Sequence, residues 1–561
     1  MTLFSVVLFL YHDSGFGRKR QVFSRFFFIL FFVLRLNYPY PVEFSRRLCY
    51  NGSNLMRPRF EPGAIINSTR LIMKSGAFLF NPAADLAVYP DSPAFSGESA
   101  LAMIRTADGD KIIVCGPAAK EFDGALSTEI GGEQAVLAPL NHKNAVALRK
   151  LLPFTAPSPI LTRAKTVGLG DRLGLAGDGH IALLKKHTDV FPILAQQSMR
   201  ELNLTDRTYE DVLDAATFAV FRQGFRRGWG ADGDHLKNAA DIKDALAIGY
   251  TMITLDCGEH IRAEYTKLND ADAIAALPTV GLSLDDFKPY YTGITYSVEG
   301  TVITYTDGEL ARLLLVYGDM LAFAASIYHD VILPHGGVDF EVSIDEVMNP
   351  TSPAEHFFIA SELIRRGVRP ATVAPRFCGE FQKGIDYIGN PADFEKELAV
   401  HAAIARRFGY KISVHSGSDK FSVFPAVARQ TKGVFHVKTA GTNYLEAMRI
   451  VAKCEPALYR EIHAYALAHF EEATKYYHVT TDLSRIPALD TLRDDELPEL
   501  FNQNDARQLI HICYGVLLLA KNPDGTSLFR DRLYAFWASH ADEYADALGR
   551  HIGKHLELLG C

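Results

Sequence analysis

Along this 561-residue chain, short apolar runs ending in polar or charged residues recur from Ala164 onward, spaced widely enough to leave room for a helix between them. They fall at 166–174, 191–198, 228–235, 250–260, 339–346, 371–381, 410–420 and 434–444, and their β-branched content reads as strand. Most intervening segments have helical periodicity and matching end signals. Ser352-Pro353-Ala354-Glu355 is a capping box with Pro at the first helical position, closed by Gly367. Asn390-Pro391 opens a helix whose apolar face is Phe394, Leu398, Ala402, Ala405 and Phe408, and Gly409 ends it. Eight such units predict an α/β fold, a parallel (β/α)8 TIM-type barrel, with a doubly wound open sheet as the alternative. The gap from Glu259 to Pro334 reads as an insertion after the fourth strand, with an apolar helix near Leu310–Ile332.

The pattern differs on either side of these units. Between Lys74 and Pro157, strand-like Ala77–Phe80 and Lys111–Cys115 and helical Asn144–Leu152 predict a small α/β domain. After Cys454 only helical periodicity remains, over Tyr459–Tyr477, Glu499–Lys521 and Leu528–Leu559. This region suits a cap on the barrel or a surface for a second copy in a homo-oligomer. The expected division is 1–72, an extraneous extension; 73–157, the small domain; 158–455, the barrel; and 456–561, the helical region.

Residues 1–72 stand apart in composition. They hold ten basic residues against Asp13, Glu43 and Glu61, so the remainder carries the acidic excess behind the net charge of −8. Their apolar runs, Leu3–Leu10 and Phe26–Leu34, fall short of the roughly 20 residues of a membrane helix, and the fold is expected to begin at Met73. With a pI near 6.2 there is no electrostatic footprint for nucleic acid, and no membrane partner is expected. The seven cysteines are scattered without a CxxC pair, which suggests neither a disulfide framework nor a thiolate zinc site and fits a reducing cytoplasm.

Chemistry concentrates at the strand ends. Asp232-Gly233-Asp234-His235 places carboxylates beside an imidazole, as a metal ligand next to a general base requires. Glu341 lies among apolar neighbours in DFEVSIDE, where an unpaired carboxylate would be costly, whereas Asp345 and Glu346 read as loop carboxylates. Arg376 and Glu380 suit either a structural ion pair or a substrate or metal site. His415 and His436 end adjacent strands, a pairing that with nearby carboxylates suggests a metal. Lys420 and Lys438, with loops containing Ser416, stand where barrels hold anionic groups. The glycines of 168–174 miss the dinucleotide spacing by one position, so no nicotinamide cofactor is implied.

LGDRLG (169–174), FPILAQQSMREL (191–202), GADGDHLK (230–237), GEFQKGIDY (379–387), VHSGSDKFSVFPA (414–426) and FHVKTAGTNYLEA (435–447) together resemble the tagaturonate epimerase family. The resemblance runs from Thr166 to the C-terminus and implies a metal-dependent isomerase that interconverts tagaturonate and fructuronate in hexuronate catabolism. It implies Asp234 as proton acceptor and Glu341 as proton donor. His235 and His415 would be metal ligands, with Glu380 a further ligand and His436 its rival. Arg376, Ser416, Lys420 and Lys438 are expected to bind the ketohexuronate. Manganese, zinc, nickel and cobalt all suit the nitrogen and oxygen ligands. The competing expectations are an aldolase or other isomerase on a related keto sugar acid, and a sugar-acid-binding protein without turnover.

Overall fold

The computed structural model describes residues 87–561 except 107, 124–125, 131–132 and 348, together with the short paired strands Ile72–Lys74 and Ala77–Leu79. The N-terminal extension read as extraneous lies, through residue 71, outside the described residues.

Eight parallel strands close into a barrel: β1 (Lys165–Leu169), β2 (Val190–Ser198), β3 (Gly230–Leu236), β4 (Met252–Asp256), β5 (Asp339–Ile344), β6 (Thr372–Pro375), β7 (Lys411–Val414) and β8 (Phe435–Thr439). These are the eight strand segments expected from the sequence. Pairing of β8 with β1, from Phe435 opposite Lys165 to Thr439 opposite Leu169, removes the edge that an open sheet would have.

Residue parity divides each strand between two environments. Val167, Leu169, Val342, Ile344, Val373, Ile412, Val414, Phe435 and Val437 join one apolar cluster with the surrounding helices, and burial of each large side chain contributes about 1.5–3 kcal/mol. The alternate positions are buried yet polar: Thr166, Asp232, Thr254, Glu341, Thr372, Ser413 and His436. At the amino end, Asp339 accepts the N–H groups of Ile160 and Leu161 at 2.7 Å, and Lys411 donates to Arg163 O and Thr166 Oγ1 at 2.8 Å. That end is thereby closed.

The helices begin and end where local chemistry dictates. Ser352 accepts the Glu355 N–H as Glu355 reaches back to Ser352, over helix Pro353–Arg365, and Gly367 follows at φ 80°. Asn390 caps helix Pro391–Phe408, and Gly409 ends it at φ 82°. After β4 the insertion holds short helical turns, a hairpin (Tyr296–Val298 with Thr301–Ile303) and helix Asp307–Ile327. That last helix, with its continuation to His335, is by length and composition apolar enough to cross a membrane; Leu310, Leu314, Met320 and Leu321 are instead buried in the barrel's apolar shell.

N-terminal to the barrel is an antiparallel sheet in which Ser99–Thr106 lies between Ala87–Val88 and Gly109–Cys115, followed by Glu133–Pro139 and Leu126–Ile130. Helix His142–Leu151 packs on it. Ser99–Thr106 was not expected as a strand: six consecutive buried residues give it no period-two signal. C-terminal to the barrel are helices, the last of which, Ala541–Leu558, lies against Gly177–Leu184, where a side chain on Gly179 would stand 3.0 Å from Ala545 Cα.

Candidate active site

The floor of the carboxyl end is built around one cation. Lys438, projecting inward from β8, holds Asp232, Asp234 and Glu341 oxygens each at 2.8 Å and also donates to Thr254. Thr254 bridges to Asp232 at 2.9 Å, and Thr372 donates to Glu341 at 2.5 Å. Three carboxylates around a single ammonium cannot all be comfortably charged. Burial pushes Asp232 up to about 7. Asp234 experiences the same burial, yet Lys438 and His235 outweigh it and hold Asp234 well below the usual carboxylate range. Burial opposes the Lys438 charge as well, and Asp232, Asp234 and Glu341 together raise it above an ordinary lysine.

Above this floor stand His235, Asp345 and His415. His235 has φ 55°, and the β3–β4 register shifts between Gly233 and Leu236. This break in alternation lets consecutive residues share a side: His235 Nδ1 lies 2.8 Å from Asp234 Oδ1. His415 follows β7, with Nε2 at 2.7 Å from Glu341 Oε1 and Nδ1 at 3.0 Å from Asp345 Oδ1. The two imidazole rings are 5.0 Å apart. Burial would lower both histidines; Asp234 lifts His235 to about 10, and Asp345 lifts His415 to about 8.

One donor atom from each of His235, Asp345 and His415 lies within 4.8 Å of the others. His415 Nδ1 is buried without a well-formed hydrogen bond, and two imidazoles with a carboxylate form a donor set suited to a divalent transition metal. The residues therefore fit such an ion. They border a cleft of about 340 Å³ that also exposes Asp234, Ser416 and Lys438. It adjoins a side lobe of about 220 Å³ bordered by Arg200, Arg376, Glu380, Lys383 and Tyr477.

The sequence-derived residues are distributed unevenly over this geometry. Glu341 is completely buried beneath the cleft and is not part of its lining. Glu380 is not grouped with the histidines: it pairs with Gln382 at 2.5 Å in the side lobe, and Asp345 stands where a third ligand was expected. His436 lies deeper in the barrel, its Nδ1 3.0 Å from Thr166 Oγ1, and burial pushes it down to about 3. Lys420 does not face the cleft, because its ammonium donates to the carbonyls of Gln382, Ile385 and Ser418 at 2.6–2.9 Å. It fixes a loop, and a substrate anion has no route to it. Arg376 makes no ion pair with Glu380 and borders the side lobe, whereas Lys438 reaches the cleft already surrounded by acids. The sequence reading missed Asp345, Thr254 and Lys383. Counting every second residue from Glu341 reaches Ser343 and Asp345, so strand parity carried the signal for one of them.

A model of the tagaturonate epimerase family matches residues 89–559. Tagaturonate/fructuronate epimerase of Thermotoga maritima is 43% identical over 420 residues, 75% of this chain and 85% of that protein. The native crystal structure of fructuronate-tagaturonate epimerase UxaE from Cohnella laeviribosi is 49% identical, with a TM-score of 0.81 over 85% of this chain and 97% of that one. A glycerol complex of the same enzyme matches equally, covering 96% of its chain. With a family match over most of its length and relatives this similar, the chain belongs to the tagaturonate epimerase family.

Proposed function

We propose that this protein interconverts D-tagaturonate and D-fructuronate with the help of a divalent metal, by cleaving and re-forming one carbon–carbon bond. The observation that carries the reading, beside family membership, is the joining of Asp234 through Lys438 to Glu341 directly under His235, Asp345 and His415. A divalent ion held by those three residues would supply Lewis acidity to substrate oxygens.

The inverted carbon lies one position beyond that next to the ketone, so its C–H is not acidified by the carbonyl. A retro-aldol route avoids that barrier. Asp234, low in pKa and facing the cleft, takes the proton from the hydroxyl on the inverting carbon; the adjacent C–C bond breaks, leaving an aldehyde and an enediolate. The aldehyde rotates, the bond re-forms on its other face, and the new alkoxide is protonated. Glu341 has no surface on the cleft, so its part in returning the proton runs through Lys438, which it touches and which borders the substrate space. Ser416 is placed to hydrogen-bond a substrate hydroxyl.

The six described cysteines are all free, as the reducing cytoplasm, where we place the enzyme, would keep them. Purified protein incubated with tagaturonate and each of manganese, zinc, nickel and cobalt tests the activity: absence of fructuronate in every case refutes it, and net accumulation of three-carbon products supports an aldolase instead. Epimerisation in D₂O tests the route, which leaves the inverted carbon without deuterium; stoichiometric deuterium there refutes it.

A further inference from the structure

Lys438, the lysine nearest the reacting groups, is already compensated by Asp232, Asp234 and Glu341. A further negative charge brought to it, the carboxylate of a hexuronate, would meet an acidic environment. The side lobe is different. Its acids are matched or engaged, Glu346 with Arg200 at 3.5 Å, Asp345 with His415 at 3.0 Å, and Glu380 with Gln382 and, at 3.6 Å, His478. Two cations remain without an ion pair among the described residues. Lys383 Nζ donates only to Ser416 Oγ at 2.9 Å, and Arg376 has a buried Nε with no hydrogen-bond partner.

Lys383 is also held in place. Its loop is fixed by Lys420, which binds the carbonyls of Gln382 and Ile385, by Arg507, which donates to Gly384 O at 2.7 Å, and by Gln508, which donates to Lys383 O at 3.2 Å. A cation on a rigid loop loses little entropy when it binds an anion. Lys383 and Ser416 border both the cleft and the lobe, so an anion in the lobe and a reacting carbon in the cleft can belong to one small molecule.

We infer that Lys383 and Arg376 form the subsite for the substrate's carboxylate and set the preference for a ketohexuronate over the neutral ketohexose that carries CH₂OH in its place. This rests on the epimerase reading above. Lys383→Met, assayed with tagaturonate and saturating metal, should raise KM by about 10–100-fold, the loss expected of one charge-assisted contact, with kcat changed less than about threefold. Lys383→Arg should recover most of the affinity, and inhibition by the neutral ketohexose should be equal in wild type and Lys383→Met. Arg376→Gln should repeat the pattern, and it carries the test alone if Lys383→Met does not fold. An unchanged KM for tagaturonate, or an equal loss of affinity for the neutral sugar, overturns the inference. Failure of the wild type to epimerise tagaturonate would instead overturn the reading on which it rests.

Discussion

Among the described residues, two groups each bring one aspartate and two histidines within reach of a single ion: His235, Asp345 and His415 at the strand ends, and Asp419 with His551 and His555 of the last helix. They differ in what their lone pairs are already doing. In the second group, His555 Nε2 accepts the Asp419 N–H at 2.9 Å, and its Nδ1 lies 2.8 Å from His551 O. Asp419 is bound by Arg507 at 2.6 Å and by His551, whose other nitrogen faces Glu446 at 3.3 Å. An ion there would have to take Asp419 Oδ1 from His551 and Thr442, and His555 Nε2 from the Asp419 N–H, beside the guanidinium on Oδ2. In the first group no arginine or lysine among the described residues is paired with Asp345, and the cleft gives access. The same ligand types thus stand open to a cleft in one place and are locked into a structural clamp in the other, according to which donors the fold has already committed.

Substitution should separate the two groups sharply. Removing either strand-end imidazole, with His235→Ala or His415→Ala, should abolish bound metal and turnover together, by at least about 100-fold, whereas His551→Ala should retain its metal. Elemental analysis of the purified variants checks this, and full metal content in His415→Ala would place the ion elsewhere. Next in size, Asp234→Asn at saturating metal should lower kcat by about 10²–10⁴-fold, the range for loss of a general base; steady-state kinetics that leave kcat intact would remove Asp234 from the proton path.

A smaller contrast concerns protons. With His235 lifted to about 10 and His415 to about 8, both imidazoles are charged at neutral pH without metal and must deprotonate to ligate. Apparent metal affinity should climb at least about tenfold per pH unit from 6 to 8, and calorimetry in buffers of different ionisation enthalpy should detect released protons. For the clamp, the effect falls on stability. Burial would raise Asp419, but Arg507 and His551 outweigh it and hold the carboxyl well below its usual range. A depressed carboxylate stabilises fully above its unfolded value, near 4, and that contribution is lost as pH falls through the folded value. Asp419→Asn should therefore cost about 3–5 kcal/mol at neutral pH by stranding Arg507, and its gap in Tm from wild type should narrow between pH 5 and pH 3. A gap independent of pH would mean that the clamp does not act through charge.

The barrel was legible because each strand carries its own local signature and each helix its own caps, as at Ser352 and Asn390. That His235 and His415 stand at strand ends was legible for the same reason. The clamp was not. His551 and His555 occupy one face of a helix four residues apart, a spacing that by itself reads as ordinary packing, and only tertiary structure brings Asp419 beneath them. Lys420 misled because a lysine after a strand has the same appearance in sequence whether it faces a ligand or three backbone carbonyls. Glu380 misled similarly: it follows β6, but the chain turns into an isolated bridge with Ile388 and carries it aside.

The seat of the final helix on Gly177–Leu184 has a consequence for the order of events during synthesis. The first helix after β1 finds part of its partner surface only when the end of the chain emerges, and at 5–20 residues per second the roughly 360 intervening residues take about 20–70 s to translate. Throughout that interval Leu183 and its neighbours lack the cover that the final helix will provide, and β1 lacks β8 until Phe435–Thr439 has been made. A chain stalled within the last two helices has all eight strands but leaves that helix face uncovered, so ribosomes stalled there should yield aggregation-prone chains that release into the soluble form only on completion.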